Sequence, residues 1–426
     1  MSRANILQKF GQSPQQRELR EALSFSENKI HLQGLVGSAL SFVVANAFQD
    51  AEKPFLLVFN DKEEAAYYLN DLEQLIGEED VLFYPGSYRR PYQIEETDNA
   101  NVLLRAEVLN RINSRRKPVI IVTYPDALFE KVVTRKELNK NTFKIKLGEE
   151  LSPDFINEVL FEYEFKRVEF VVEPGEFSVR GGIIDVFSFS HEEPFRIEFF
   201  GDEVDSIRNF DIETQLSTDQ VKEARIMPNV ENKKLDEVRE SFLKYISPKT
   251  VVFLKNFDMC AAQIEDLFEK AEEAFVTLSK EITRQEPKEL FSDVNAIKQG
   301  FEAHTLVELS SKAYLQPENN SKQIKFHTKP QPSFNKKFDL LTDDLLAHQA
   351  EGYTNTIFCA SKQQAQRFHD IFDAQESTEE GQLQYKTTVL PMHQGFIDEV
   401  GKQVCYTDHQ IFERYHRFRL KTGYAK

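Results

Sequence analysis

The sequence predicts a multidomain α/β protein: a doubly wound α/β domain, a mixed α+β domain inserted into it, and a small α/β domain at the end. Three observations predict this. The chain has 426 residues, more than one hydrophobic core usually holds, so about three domains are expected. Short apolar runs alternate with helix-length stretches near both ends of the chain. Between them the pattern changes to alternating strands broken by glycine turns.

Taken in order, Phe55–Phe59, Val81–Tyr84 and Val119–Thr123 are apolar runs bounded by charge, Gly or Pro, as buried parallel strands are. Val102, Ala106 and Leu109 make one helical stripe between the last two, with Arg105, Glu107 and Arg111 on other faces. Ser152-Pro153 opens a helix over 154–161. Strands are expected at 168–172, 177–180, 183–187 and 203–207, with Gly181-Gly182 and Gly201-Asp202 as turns. Phe195, Ile197 and Phe199 alternate with Arg196, Glu198 and Phe200, a half-buried strand with one imperfect position. A buried strand returns at 251–254, followed by an amphipathic helix over 264–275. Positions 312–336, with Pro317, Pro330 and Pro332, read as a linker interrupted by strand-like Ile324–Phe326. Strands at 356–358, 387–390 and 403–406 with helices over 362–372 and 410–419 complete a last unit. The boundaries drawn are 1–122 and 212–311 for the split first domain, 123–211 for the insertion, 312–336 for the linker and 337–426 for the last domain.

The formal net charge is −17, a field that disfavours non-specific attraction to nucleic acid or an anionic membrane. Short basic runs at Arg89-Arg90, Arg115–Lys117 and 414–419 read as solvated faces. Cys260, Cys359 and Cys405 are too few and too widely spaced for a disulfide framework or a zinc site, which suits a reducing compartment. No apolar run approaches the roughly 20 residues that span a bilayer, and residues 1–26 lack a signal-peptide core. A cytoplasmic protein with no membrane contact is expected. His304, His327 and His348 are isolated, and the pairs Glu63-Glu64, Glu95-Glu96 and Glu192-Glu193 read as surface charge, so no metal site is expected.

Residues 34–41 read Gly-Leu-Val-Gly-Ser-Ala-Leu-Ser. A phosphate-binding loop needs Gly, four residues, then Gly-Lys-Ser/Thr, so that bare N–H groups cradle phosphate, the lysine reaches it and the hydroxyl holds magnesium. Gly34, Gly37, Ser38 and Ser41 keep the register. Ala39 stands in place of the second glycine and Leu40 in place of the lysine. Without that charge, catalysis of phosphoryl transfer is not expected. The residues alone leave two readings open, a chance glycine turn or a decayed nucleotide site.

Phe177-Ser-Val-Arg-Gly-Gly-Ile-Ile-Asp-Val-Phe187, preceded by Pro174-Gly-Glu and followed by Arg196-Ile-Glu-Phe-Phe-Gly-Asp-Glu-Val-Asp-Ser-Ile207, resembles the N-terminal region of the bacterial transcription-repair coupling factors. Tyr124–Leu128, Gln394–Asp398 and Thr407-Asp408 extend the likeness along the chain. The resemblance implies a first domain like that of UvrB with a degenerate, helicase-like phosphate loop, an inserted domain that binds UvrA, and a family-specific third domain. It implies a larger protein that displaces stalled RNA polymerase by ATP-driven translocation on double-stranded DNA. ATP and Mg2+ would serve motor domains beyond Lys426, with no cofactor for residues 1–426.

The resemblance carries Arg167 and Arg180 onto UvrB arginines of the UvrA-contacting face, while Ser178 stands where UvrB has another arginine. On the residues alone, Arg180 reads first as a cross-strand partner of a nearby acid, and Phe177 and Phe187 as core. Pro85–Tyr92 runs quickly into the next helix, too short for the aromatic hairpin with which UvrB clamps damaged DNA. The family also implies an intramolecular contact that masks the UvrA surface, so a masking role is the alternative to docking.

Overall fold

The strands Phe55–Val58, Val81–Tyr84, Ile120–Thr123 and Val251–Leu254 are apolar at every position but Thr123 because both faces of their sheet are covered. In the computed structural model Phe55, Leu57, Val251 and Phe253 enter one core, and Leu56, Val58, Val252 and Leu254 enter a second core behind the sheet. The structure describes residues 3–25, 29–87, 99–113, 117–134, 142–189, 191, 193–228, 238–278, 286–315, 321–375 and 382–415. Arg89-Arg90, Arg115-Arg116, Glu95-Glu96, Glu192, residues 88–92 and residues 416–419 lie outside them.

The first sheet has seven parallel strands in the order 322–325, 29–33, 305–308, 251–254, 55–58, 120–123, 81–84. Strands 251–254 and 305–308 come after the insertion in sequence, yet they sit at the centre of the sheet. The two parts of the first domain therefore share one core. Behind the sheet, Arg105 and Glu130 form a buried ion pair at 3.4 Å. Arg105 also donates to the Pro85 carbonyl at 2.9 Å and lies 4.3 Å from the Tyr84 ring. Glu130 accepts the Ser87 N–H at 2.8 Å and its hydroxyl at 2.6 Å. Together they pin the chain as it leaves strand 81–84.

The second sheet has the order 217–220, 203–210, 195–200, 183–186, 176–180, 166–167. Helix Pro153–Glu162, capped by the Ser152 hydroxyl on Phe155 N–H, buries Ile156 and Leu160 against it. Strand pairing sets the limits of this unit differently from the boundaries 123 and 211. Phe143–Lys146 pairs with Glu223–Ile226, and Val132–Val133 pairs with Arg239–Glu240 at the neck. Residues 217–226 go with the insertion because Ala224 and Ile226 bury beside Ile145, whereas Ala127, Leu128 and Phe129 bury under the first sheet. The expected strand over 168–172 is only a two-residue pairing at Lys166–Arg167. The chain then turns away because Glu176 accepts the N–H groups of Val172 and Glu173, and Ser178 donates to the Glu169 carbonyl.

Residues 321–330, expected as linker, cross between two sheets instead. Lys322–Lys325 is the edge strand beside 29–33, with Ile324 in the first core, and Thr328–Pro330 is the edge of the third sheet. That third sheet has the order 328–330, 396–398, 403–407, 354–359, 385–389. The final described helix is Asp408–Ile411; of the helix expected over 410–419, residues 412–415 are not helical, with Glu413 at φ 51°, and 416–419 lie outside the described residues. The third domain does not stand apart. Phe358, Leu390, Met392, Phe396 and Cys405 continue the first core, where Phe42 stacks on Phe358 at 5.9 Å.

All three cysteines are free and buried. Burial pushes the Cys260 and Cys359 thiols up to about 12 and raises that of Cys405 as well. A thiolate is the reactive form, so none should alkylate in the folded chain at about pH 8. Iodoacetamide labelling followed by mass analysis should find all three modified only after denaturation.

Candidate functional site

Residues 34–38 lie between strand Lys29–Gln33 and helix Ala39–Ala51, the strand–loop–helix setting of a phosphate loop. Phe42, Val43 and Ala47 bury and anchor that helix. Gly34 and Gly37 have φ of 77° and 52°, the left-handed region that favours glycine. A Cβ on Gly34 would lie 2.1 Å from the Phe326 carbonyl oxygen, and one on Gly37 would lie 3.0 Å from Gln394 Cβ. The neighbours that require bare backbone here are polypeptide from farther along the chain.

Several of the loop's polar groups are taken by the same stretches of chain. Ser38 N–H donates to the Gln394 carbonyl at 3.2 Å, and Gln394 N–H donates to Ser38 Oγ at 3.1 Å. Val36 N–H donates to Thr328 Oγ1 at 3.0 Å, and that hydroxyl donates to the Gly34 carbonyl at 2.7 Å. Ala39 and Leu40 are each 2% exposed and belong to the first core. Ser41 gives its hydroxyl to Asp71 at 2.9 Å. The fully buried Asp71 also accepts His393 N–H at 2.8 Å and faces His393 Nδ1 at 2.6 Å. Sequence reading missed Asp71 and His393 because nothing local marks residues whose partners are hundreds of positions away.

His409 donates to the His393 carbonyl at 2.9 Å when its Nε2 carries the proton. Burial holds its imidazole below the ordinary range, with the hydrogen bond to His393 opposing that shift. The folded chain therefore binds this proton less readily than the unfolded chain. The associated stability is present above the unfolded value of about 6.5 and is lost as pH falls through the depressed folded value. Thermal melts should show a smaller loss on acidification for His409→Asn than for the parent chain.

On the inserted domain Arg180 is 42% exposed and paired with Asp185. Asp185 is 1% exposed and is also gripped by Arg196 at 2.8 and 2.9 Å. The cross-strand reading of Arg180 thus describes its geometry. Its guanidinium also lies 5.9 Å from the ring of exposed Phe170. Phe200, the imperfect position of its strand, follows a register shift at Glu198/Phe199 and is 82% exposed. Strand alternation puts Phe200 on the same face as Arg180, opposite the core. Arg167 is exposed on the edge strand, in register with Phe177, so alternation directs it toward the other face. Ser178 is buried with its hydroxyl on Glu169, and Phe177 and Phe187 are buried as core.

Among the described residues no three His, Cys, Asp or Glu side chains are grouped to hold a metal, and no helix is long and apolar enough to cross a membrane. His304 is engaged with the Leu243 carbonyl and His348 with Asp344.

The UvrB interaction domain family matches residues 143–231, which agrees with the limits set by strand pairing. The chain is 24% identical over 467 aligned positions to a transcription-repair-coupling factor of Staphylococcus epidermidis, covering 93% of this chain and 40% of that protein. It is 32% identical to that of Bacillus subtilis over 198 residues, covering 46% of this chain and 17% of that protein. With the Myxococcus xanthus protein it shares 30% identity over 217 residues, covering 50% of this chain and 18% of that one. The chain spans less than half the length of these relatives. A UvrB interaction domain match set into an α/β domain with a phosphate-loop framework, in a chain similar over nearly its whole length to the Staphylococcus epidermidis protein, marks this chain as similar to the bacterial transcription-repair-coupling factors.

Proposed function

We propose that this chain is a non-catalytic docking module that recruits UvrA to lesion-stalled RNA polymerase through the inserted domain. The observation that carries the reading is the outer sheet face at residues 143–231, where an exposed arginine, Arg180, lies beside exposed Phe170 and shares its face with Phe200. An aromatic surface with a cation held in place suits a protein partner, since aromatic and Arg side chains dominate binding energy at interfaces. Asp185 keeps Arg196 when Arg180 is removed, so Arg180→Ala should leave the fold intact. Arg167 lies on the sheet edge, where a long side chain can join either face.

The expected result is that Arg180→Ala weakens UvrA binding at least about tenfold, with a further loss in the double variant with Arg167→Ala. Calorimetric titration on folded variants tests this; unchanged affinity in the double variant would reject both assignments. The loop at 34–41 is read as a structural socket without ATP turnover. Its Val36 and Ser38 N–H groups are engaged by residues 328 and 394, and Leu40 puts no charge where a phosphate would need one. Phosphate release above background, with or without DNA, would overturn that part. In a longer protein, ATP and Mg2+ would serve motor domains that translocate on double-stranded DNA and displace the polymerase.

The second reading is masking: the rest of a longer chain covers the same face until release. The 82% exposure of Phe200 favours a surface that is covered in some state. Tighter UvrA binding by residues 1–426 than by the longer protein is the outcome expected from masking.

A further inference from the structure

The carboxyl ends of the strands in an open α/β sheet are where ligands bind, and here that edge is roofed by the third domain. A cavity of about 480 Å3 remains between them, lined by Asp61, Glu63 and Tyr67 from one side and by His393 and Tyr415 from the other. We propose that this cavity is a recognition site for a guanidinium group, an arginine side chain presented by a partner polypeptide. The inference is independent of the docking reading of the inserted domain.

The acids are held in place but not used up. Asp61 Oδ1 caps helix Lys62–Ile76 by accepting Glu64 N–H at 2.8 Å, and Glu63 Oε1 accepts the Tyr67 hydroxyl at 3.2 Å. Each carboxylate keeps its other oxygen. Glu64, which also lines the cavity, is answered by Lys255 at 3.8 Å. The second, separate indication is His393. Its side chain is 7% exposed, and Asp71 and Ser38 occupy Nδ1 only, at 2.6 and 3.2 Å. Its Nε2 is left at the cavity wall as an acceptor when Nδ1 holds the proton for Asp71.

Two carboxylate oxygens and one imidazole nitrogen are acceptors in want of donors, and a guanidinium supplies a planar fork of them. Aromatic walls suit the same ion. The Tyr67 ring stacks on His393 at 5.6 Å, and Tyr415 is 96% exposed at the rim. Among the described lining residues Arg414 is the one cation other than histidine, and its guanidinium sits 4.9 Å from the Phe412 ring. An anion would meet the acidic first turn of helix Lys62–Ile76 and is disfavoured.

The test titrates the full 426-residue chain with Nα-acetyl-arginine amide and, separately, with the neutral isostere Nα-acetyl-citrulline amide. The His393 imidazole resonance is followed in histidine-labelled protein. A saturable shift is expected with the arginine compound and a response at least about tenfold weaker with the citrulline compound. The double variant Asp61→Asn, Glu63→Gln should lose arginine affinity by about tenfold or more while keeping its fold, because Asn caps a helix as well as Asp does. An unmoved His393 signal, an equal response to citrulline, undiminished affinity in the double variant, or a shift produced by inorganic pyrophosphate instead would each overturn the proposal.

Discussion

Leu40→Lys, the substitution that returns a lysine to the phosphate-loop position, is expected to destabilise the chain severely and to leave ATP turnover at background. Leu40 is 2% exposed in a core that includes Phe358, Leu390 and Phe396 of the third domain. A lysine forced into such a site either carries an unpaired charge or titrates several units low. A displacement of about three units costs about 4 kcal/mol at neutral pH. Chemical denaturation should show the loss, and Leu40→Met, which conserves volume, should cost less than about 1.5 kcal/mol. Full stability in the lysine variant would mean that the side chain can reach solvent at the loop, and the socket reading would then fall.

Glu130→Ala is expected to cost about 3–5 kcal/mol by removing the Glu130 carboxylate from the buried Arg105 guanidinium. The loss extends beyond the ion pair. Ser87 loses both of its hydrogen bonds to Glu130, so the chain leaving strand 81–84 is released as well. Arg105→Met combined with Glu130→Leu should recover part of the stability, because no buried charge then stays unpaired. Comparison of the two denaturation midpoints checks this. Equal loss in both variants would assign the cost to Ser87 rather than to the uncompensated charge.

Arg105 also illustrates what a periodic pattern conceals. Its place off the apolar stripe of Val102, Ala106 and Leu109 marks it as a surface residue, yet it is 2% exposed. Burial of a charge depends on a partner, and Glu130 belongs to a different element. Phe200 shows the converse. The strand pattern flags it as irregular because an aromatic stands in the outward set with Arg196 and Glu198, and the structure leaves that ring 82% exposed beside a register shift at Glu198/Phe199. Local patterning did locate strands 55–58, 81–84, 120–123 and 251–254, since a strand covered on both faces is apolar nearly throughout. It placed Phe177 and Phe187 in the core for the same kind of reason.

By itself the sequence determined the α/β class, the presence of an inserted strand-rich unit, and the replacement of the loop lysine by leucine at position 40, all of which are properties of neighbouring residues. Only the tertiary structure decided what fills that loop, which carboxylate Arg180 meets, and that a supposed linker is two edge strands. Ser38 and His393 are 355 positions apart. Their contact follows from the packing of two domains on one core, and no local period encodes it.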